Sequence, residues 1–188
     1  MFGILIGVFV LGVIALMLMQ IHTDSVDMAV AVFKGDGGVI GEVTFKDERG
    51  GCRVTASFTA LPQGEHGFHI HEAGDLRGEG CKAACSHYHK GAATRHGGAP
   101  GSAGSRHTGD LGNIAGPTAN RTYFLSGVRV SNLWGRSVII HADPDDLGLG
   151  GHDDSHTTGH SGTRIACALI GRVAPCADVN KTRKKRRS

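Results

Sequence analysis

Two histidines one residue apart, His69 and His71, fall in the apolar run 67–71. In an extended strand side chains alternate faces with a period of two, so both imidazoles project from one face, close enough to share an ion. On its own such a pair carries little weight, because an exposed strand often holds one without binding anything. The chain has 12 histidines in 188 residues, however, and three of them, His87, His96 and His107, share one glycine-rich stretch with Asp110. Three imidazoles and a carboxylate are the donors of a closed tetrahedral zinc site, with bonds of about 2.0–2.2 Å. A solvated loop with scattered histidines is the competing reading of that stretch. His141 ends the apolar run 137–140 and opens a second polar stretch, where it is placed to complete a site formed by the first.

These side chains need a scaffold that holds long loops. Glycine accounts for 30 residues and aromatics for 5%, which suits a β-protein with structured loops better than a helical bundle. Short β-type runs cover 26–33, 39–45, 53–61, 67–71, 122–130, 137–141 and 164–173, separated by glycine turns. In 53–61, Val54, Ala56 and Phe58 alternate with Arg53, Thr55 and Ser57. The pattern predicts an all-β fold, a Greek-key β-sandwich or flattened barrel of about eight antiparallel strands. Two long gaps, 73–110 and 142–163, are rich in Gly, His and Asp and read as functional loops.

The domain 26–175 is flanked by a hydrophobic leader, 1–25, and a basic tail, 176–188. Phe2 to Met19 are 18 apolar or glycine positions without a charge. As a helix they span roughly 27 Å, barely a bilayer core. No Lys or Arg precedes Lys34, and Thr23-Asp24-Ser25 is a poor cleavage site. The leader therefore reads first as a helical membrane anchor, then as a cleaved signal, then as a buried helix of the domain. Six of the last eight residues are Lys or Arg, and they account for the formal net charge of +3. The body of the chain is slightly acidic, which excludes a basic nucleic-acid-binding surface on the fold itself. Five cysteines, Cys52, Cys81, Cys85, Cys167 and Cys176, leave at least one without an intrachain partner and fix no pairing.

Five separated segments carry a family resemblance: Gly67-Phe68-His69-Ile70-His71-Glu72, His96-Gly97-Gly98, Gly109-Asp110-Leu111-Gly112-Asn113, Asp145-Asp146-Leu147-Gly148 and Arg164-Ile165-Ala166-Cys167. In type and order they resemble the signature segments of copper–zinc superoxide dismutases, over about 26–173. The resemblance implies one copper and one zinc ion per subunit and superoxide as substrate. It places copper on His69, His71, His87 and His141, and zinc on His87, His96, His107 and Asp110. His87 would bridge the two ions and serve in catalysis by delivering a proton. Arg164 would attract and position the superoxide anion. Asp145 would link a copper histidine to a zinc histidine, and Cys81 and Cys167 would form the disulfide. His66 falls at a position with a structural hydrogen-bonding role, while His22, His89, His152, His156 and His160 read as exposed loop residues.

The chain also departs from the family pattern. The spacing from His87 to His96 is one residue longer than in common members. Ala73 stands where eukaryotic members often place a bulky aromatic at the subunit interface, and Arg172 replaces a usual apolar residue near the C-terminus, two departures that count against the family's tight homodimer. Cys85 stands at a position usually held by glycine. Partners implied by the resemblance also include a copper chaperone, and polyanions for the basic tail. A superoxide dismutase-like chaperone domain and a structural or buffering zinc domain are the rival classes, and retention of every ligand and of Arg164 argues against both. A membrane-anchored or secreted location follows from the leader, with a virion location as a further reading because some large DNA viruses carry members. Family members often place lysines in the second loop to attract superoxide. Here Asp143 and Thr157 stand at two such positions and Asp153 and Asp154 keep the loop acidic, leaving Arg164 as the main fixed positive charge. His152, His156 and His160 would add charge below an unperturbed pKa of about 6.5.

The leader generates the first test. Full-length protein is expected to resist carbonate extraction, and a chain lacking the first 23 residues to be soluble. A mature N-terminus near Val26, read by N-terminal sequencing, would identify a cleaved signal instead.

Overall fold

Alternation builds the first three strands. In β1 (Met28–Gly35) Ala29, Ala31 and Phe33 point into the core, and in β3 (Gly51–Phe58) Cys52, Val54, Ala56 and Phe58 do so while Arg53 faces solvent. Between them β2 (Gly38–Glu48) adds Val43 and Phe45 and pairs antiparallel with both. Asp36-Gly37 closes the first hairpin as a two-residue turn between Gly35 and Gly38, a pair of residue types that such turns favour. The computed structural model describes residues 27–173, apart from 93 and 94. The expected leader helix at 1–25, the basic tail and Cys176 lie outside the described residues. Among the described residues no helix is long and apolar enough to cross a membrane.

Among the described residues nine strands form two antiparallel sheets. The first runs in the order β6 (Ala119–Ser126), β3, β2, β1, β9 (Gly171–Val173). The second runs β5 (Asp110–Gly116), β4 (Gly64–His71), β7 (Ser137–His141), β8 (Arg164–Leu169). Phe58 of the first sheet meets Phe68 of the second edge-on at 6.1 Å between ring centroids, and Phe33 lies 5.2 Å from Phe58. Burying each of these rings contributes about 1.5–3 kcal/mol.

The all-β sandwich is as expected, and two details differ. The sheets stay open, so the flattened barrel of about eight strands is replaced by nine strands in two layers. One added strand is β5, which two glycines and an asparagine had hidden. The other arises because the expected run 164–173 divides at Ile170, where the chain leaves the second sheet and β9 joins β1 in the first.

The second sheet is buried on both faces where it matters. Along β4, Phe68 and Ile70 enter the core, whereas His69 and His71 point outward yet are equally buried, because the two long loops cover that face. The first loop is tied down by a disulfide between Cys81, in the 3₁₀ segment Glu79–Ala84, and Cys167 on β8. Cys52 sits in the core, where burial pushes its thiol up to about 12, and Cys85 is exposed and free.

Closing an 86-residue separation constrains the unfolded chain, so Cys167→Ser is expected to lower stability by about 2–5 kcal/mol in denaturant titration. Non-reducing peptide mapping should pair Cys81 with Cys167; a Cys81–Cys52 peptide would contradict this arrangement.

Candidate metal centre

The outward face of β4 supplies His69 and His71, the end of β7 supplies His141, and the first loop returns as an isolated bridge opposite His71 to supply His87. One ring nitrogen from each lies within 4.8 Å of the others. Each of the four rings is held by its other nitrogen. His69 Nε2 lies 2.8 Å from Asp145 Oδ2, His71 Nδ1 2.8 Å from the Cys85 carbonyl, His87 Nδ1 2.8 Å from Asp110 Oδ1, and His141 Nδ1 3.2 Å from the Gly162 carbonyl. These bonds leave His69 Nδ1, His71 Nε2, His87 Nε2 and His141 Nε2 buried without a hydrogen-bond partner. An unpartnered buried polar atom costs about 1–3 kcal/mol, so four in one spot are explained by a shared cation. Burial pushes the pKa of His69 well below the usual imidazole range, lowers those of His71 and His87, and brings His141 to about 4. The rings are thus neutral, the form that ligates. Four imidazoles suit copper.

The second cluster shares His87 and adds His96, His107 and Asp110. Asp110, at the start of β5, accepts from the backbone N–H groups of Gly97 at 3.0 Å and His107 at 2.7 Å through Oδ2. Its Oδ1 faces His87 Nδ1, His96 Nδ1 at 3.0 Å and His107 Nδ1 at 3.4 Å. The last two nitrogens approach without the alignment of a hydrogen bond and remain unpartnered. Burial opposes ionisation of Asp110, but the close approach of the His107, His87 and His96 rings outweighs it and holds the carboxyl well below its ordinary range. For His96, burial is outweighed by Asp110 and Asp145, raising it to about 9. A dication in this cluster takes the place of that proton, so loading releases protons. Three imidazoles and one carboxylate fit zinc.

One carboxylate ties the clusters together. Asp145 reaches His69 Nε2 with Oδ2 and His96 Nε2 with Oδ1, both at 2.8 Å. Asn113 on β5 clamps its backbone twice, accepting from Asp145 N–H at 2.6 Å and donating to its carbonyl at 2.9 Å. Gly159, at φ 68°, passes so close that a Cβ would overlap both Asp145 Oδ1 and His96 Nε2. Sequence reading had named Asp145; the clamp by Asn113 was missed, although Asn113 lies in a quoted segment, because its partner is 32 residues away.

Arg164 opens β8 at the edge of the copper-type cluster. Its guanidinium donates to the Cys81 carbonyl at 2.8 Å and to the Cys85 carbonyl at 2.6 Å, the same oxygen that holds His71. It lies on a mouth of about 460 Å³ lined by Glu79, Gly80, Lys82, Gly162, Thr163 and Arg164. His66 Nδ1 meets the carbonyls of His141 and Ala142 at 2.9 and 3.1 Å, as its structural role implied. His152, His156 and His160 are exposed, whereas His89 is half-buried and accepts from the Thr108 N–H at 3.1 Å. The Arg172 guanidinium lies 4.8 Å from the Trp134 ring centroid.

Comparison with known proteins agrees with this geometry. The family model described as copper/zinc superoxide dismutase (SODC) matches residues 39–170. The chain is 40% identical over 174 residues to the superoxide dismutase (Cu-Zn) of Paramecium bursaria Chlorella virus 1, spanning 86% of this chain and 90% of that protein. It is also similar to a crystal structure of the clock protein EA4, at a TM-score of 0.66 and 36% identity over 77% of this chain and 93% of that one.

Because Asp145 orients one histidine of each cluster, Asp145→Asn is expected to weaken binding of both metals by about 10–100-fold. Chelator competition on the folded protein measures both affinities. A loss confined to one metal would show that the carboxylate does not couple the two clusters.

Proposed function

The chain belongs to the copper/zinc superoxide dismutase family, and we infer that it is an enzyme converting superoxide to dioxygen and hydrogen peroxide. The carrying observation is the set of six buried imidazole nitrogens without partners, grouped around His87 into two cation-sized clusters. We assign copper to His69, His71, His87 and His141, and zinc to His87, His96, His107 and Asp110. When bound, copper supplies the one-electron exchange that turns two superoxide anions and two protons into dioxygen and hydrogen peroxide.

The chain's own residues handle the anion and the protons. Arg164 is held by three carbonyls of the first loop, those of Cys81, Lys82 and Cys85, so its charge stays at the mouth beside His71. There it binds and orients the anion. His87 faces one cluster with Nε2 and the other with Nδ1, so a proton held at Nε2 lies next to the reacting anion. Asp145 keeps the tautomers of His69 and His96 fixed while this proton moves. For the extensions, the same reading assigns Phe2 to Met19 to a membrane, with secretion as the alternative, and the basic tail to polyanions. Composition supports both assignments. A homodimer and delivery of copper by a chaperone are carried over as family behaviour.

His141→Ala is expected to abolish superoxide removal and copper retention while zinc remains bound. Pulse radiolysis and metal analysis of the same preparation read both. Full activity with normal copper content in this variant would overturn the ligand assignment.

A further inference from the structure

The second loop is a poor source of attraction for an anion. From 142 to 163 it carries five aspartates and no Lys or Arg. Its exposed histidines are partly compensated: His160 Nδ1 lies 2.7 Å from Asp154 Oδ1, and the His160 ring stacks on His152 at 3.6 Å. Asp143 stands against Gly162, close enough that a Cβ on Gly162 would overlap its carboxylate, so a negative charge flanks that wall of the mouth.

The opposite wall differs. Gly80 and Cys81 have φ values of 59° and 52°, which break the segment Glu79–Ala84 into a kinked turn. The kink presents the Cys81 and Lys82 carbonyls to Arg164, at 2.8 and 3.4 Å, and the Cys81–Cys167 disulfide pins the turn to β8. The root of Lys82 is therefore fixed by the arginine that receives the substrate. Its side chain is 78% exposed, and the ammonium meets Glu79 only at 4.0 Å. Among the described residues lining this mouth, Lys82 and Arg164 are the two cations and Glu79 is the anion. A mouth of about 460 Å³ has room for a diatomic anion with much of its hydration, at about 30 Å³ per water.

We propose that Lys82 is a substrate-positioning residue that draws superoxide from solvent to Arg164, and that Glu79 attenuates it. Attraction thus comes from the turn beside the disulfide rather than from the second loop. Lys82 thus adds a second cation to Arg164, the main fixed positive charge expected at the site. The inference rests on the superoxide dismutase reading.

Exposed charges act over about 10 Å at 0.1 M salt, so the effect belongs to low ionic strength. In the metal-loaded full chain, Lys82→Gln is expected to lower the second-order rate about two- to threefold at ~10 mM salt and to flatten its salt dependence. Glu79→Gln should raise the rate by a similar factor, Lys82→Arg should retain it, and all variants should converge at high salt. Chloride NMR linewidths with the ascorbate-reduced holoprotein give a readout independent of turnover, and Lys82→Gln should narrow them. Active wild type and Lys82→Gln with the same salt slope and linewidths would overturn the role of Lys82. Wild type that is inactive with both metals bound would defeat the enzyme reading instead.

Discussion

A buried carboxylate shared by two imidazoles is the constraint on which the rest depends. Asp145 sits in the second loop, and its two oxygens must meet rings carried by different elements: His69 on a strand and His96 in the first loop. That requirement explains the surroundings. Asn113 holds the carboxylate's backbone from the adjoining sheet edge, Gly159 removes a side chain that would occupy its space, and the His96 N–H bonds to the His156 carbonyl at 2.8 Å. The two loops are thereby locked to each other as well as to the sheet. Buried polar groups of this kind stabilise only when nearly every member is satisfied, and the imidazole nitrogens left over are those that converge on the two clusters.

The same economy governs the entrance. The Cys85 carbonyl holds both a ring of the copper-type cluster and the guanidinium at its mouth, so the position of one bears on the position of the other. The disulfide keeps that carbonyl in place by anchoring the kinked turn to β8. Residues that neither ligate nor touch substrate thus decide the separation between the anion-binding group and the metal-binding rings.

How much of this could be read beforehand depended on the range of each interaction. His69 and His71 were legible because a period of two puts them on one face. The four donors of the first loop were legible as a composition, but which nitrogen of each ring stays free was not, since that is set by carbonyls and carboxylates distant in sequence. Arg164 stood out only through family resemblance, because nothing local distinguishes it from an exposed arginine at a strand start. β5 was overlooked because its glycines lack the apolar side chains by which a strand is recognised, although Leu111 and Ile114 are fully packed. Lys82 looked like an ordinary solvent-facing cation until the fold set it across from Arg164.

The pairing of β1 with β9 has a geometric consequence for the two extensions. Met28 lies opposite Val173 in an antiparallel register, so the chain enters the domain and leaves it at the same corner of the first sheet, one strand spacing of about 5 Å apart. The apolar run precedes one of these neighbouring junctions in sequence and the segment bearing six Lys and Arg follows the other. Both junctions thus lie on the first sheet, whereas His69, His71, His141 and Arg164 are carried on the second.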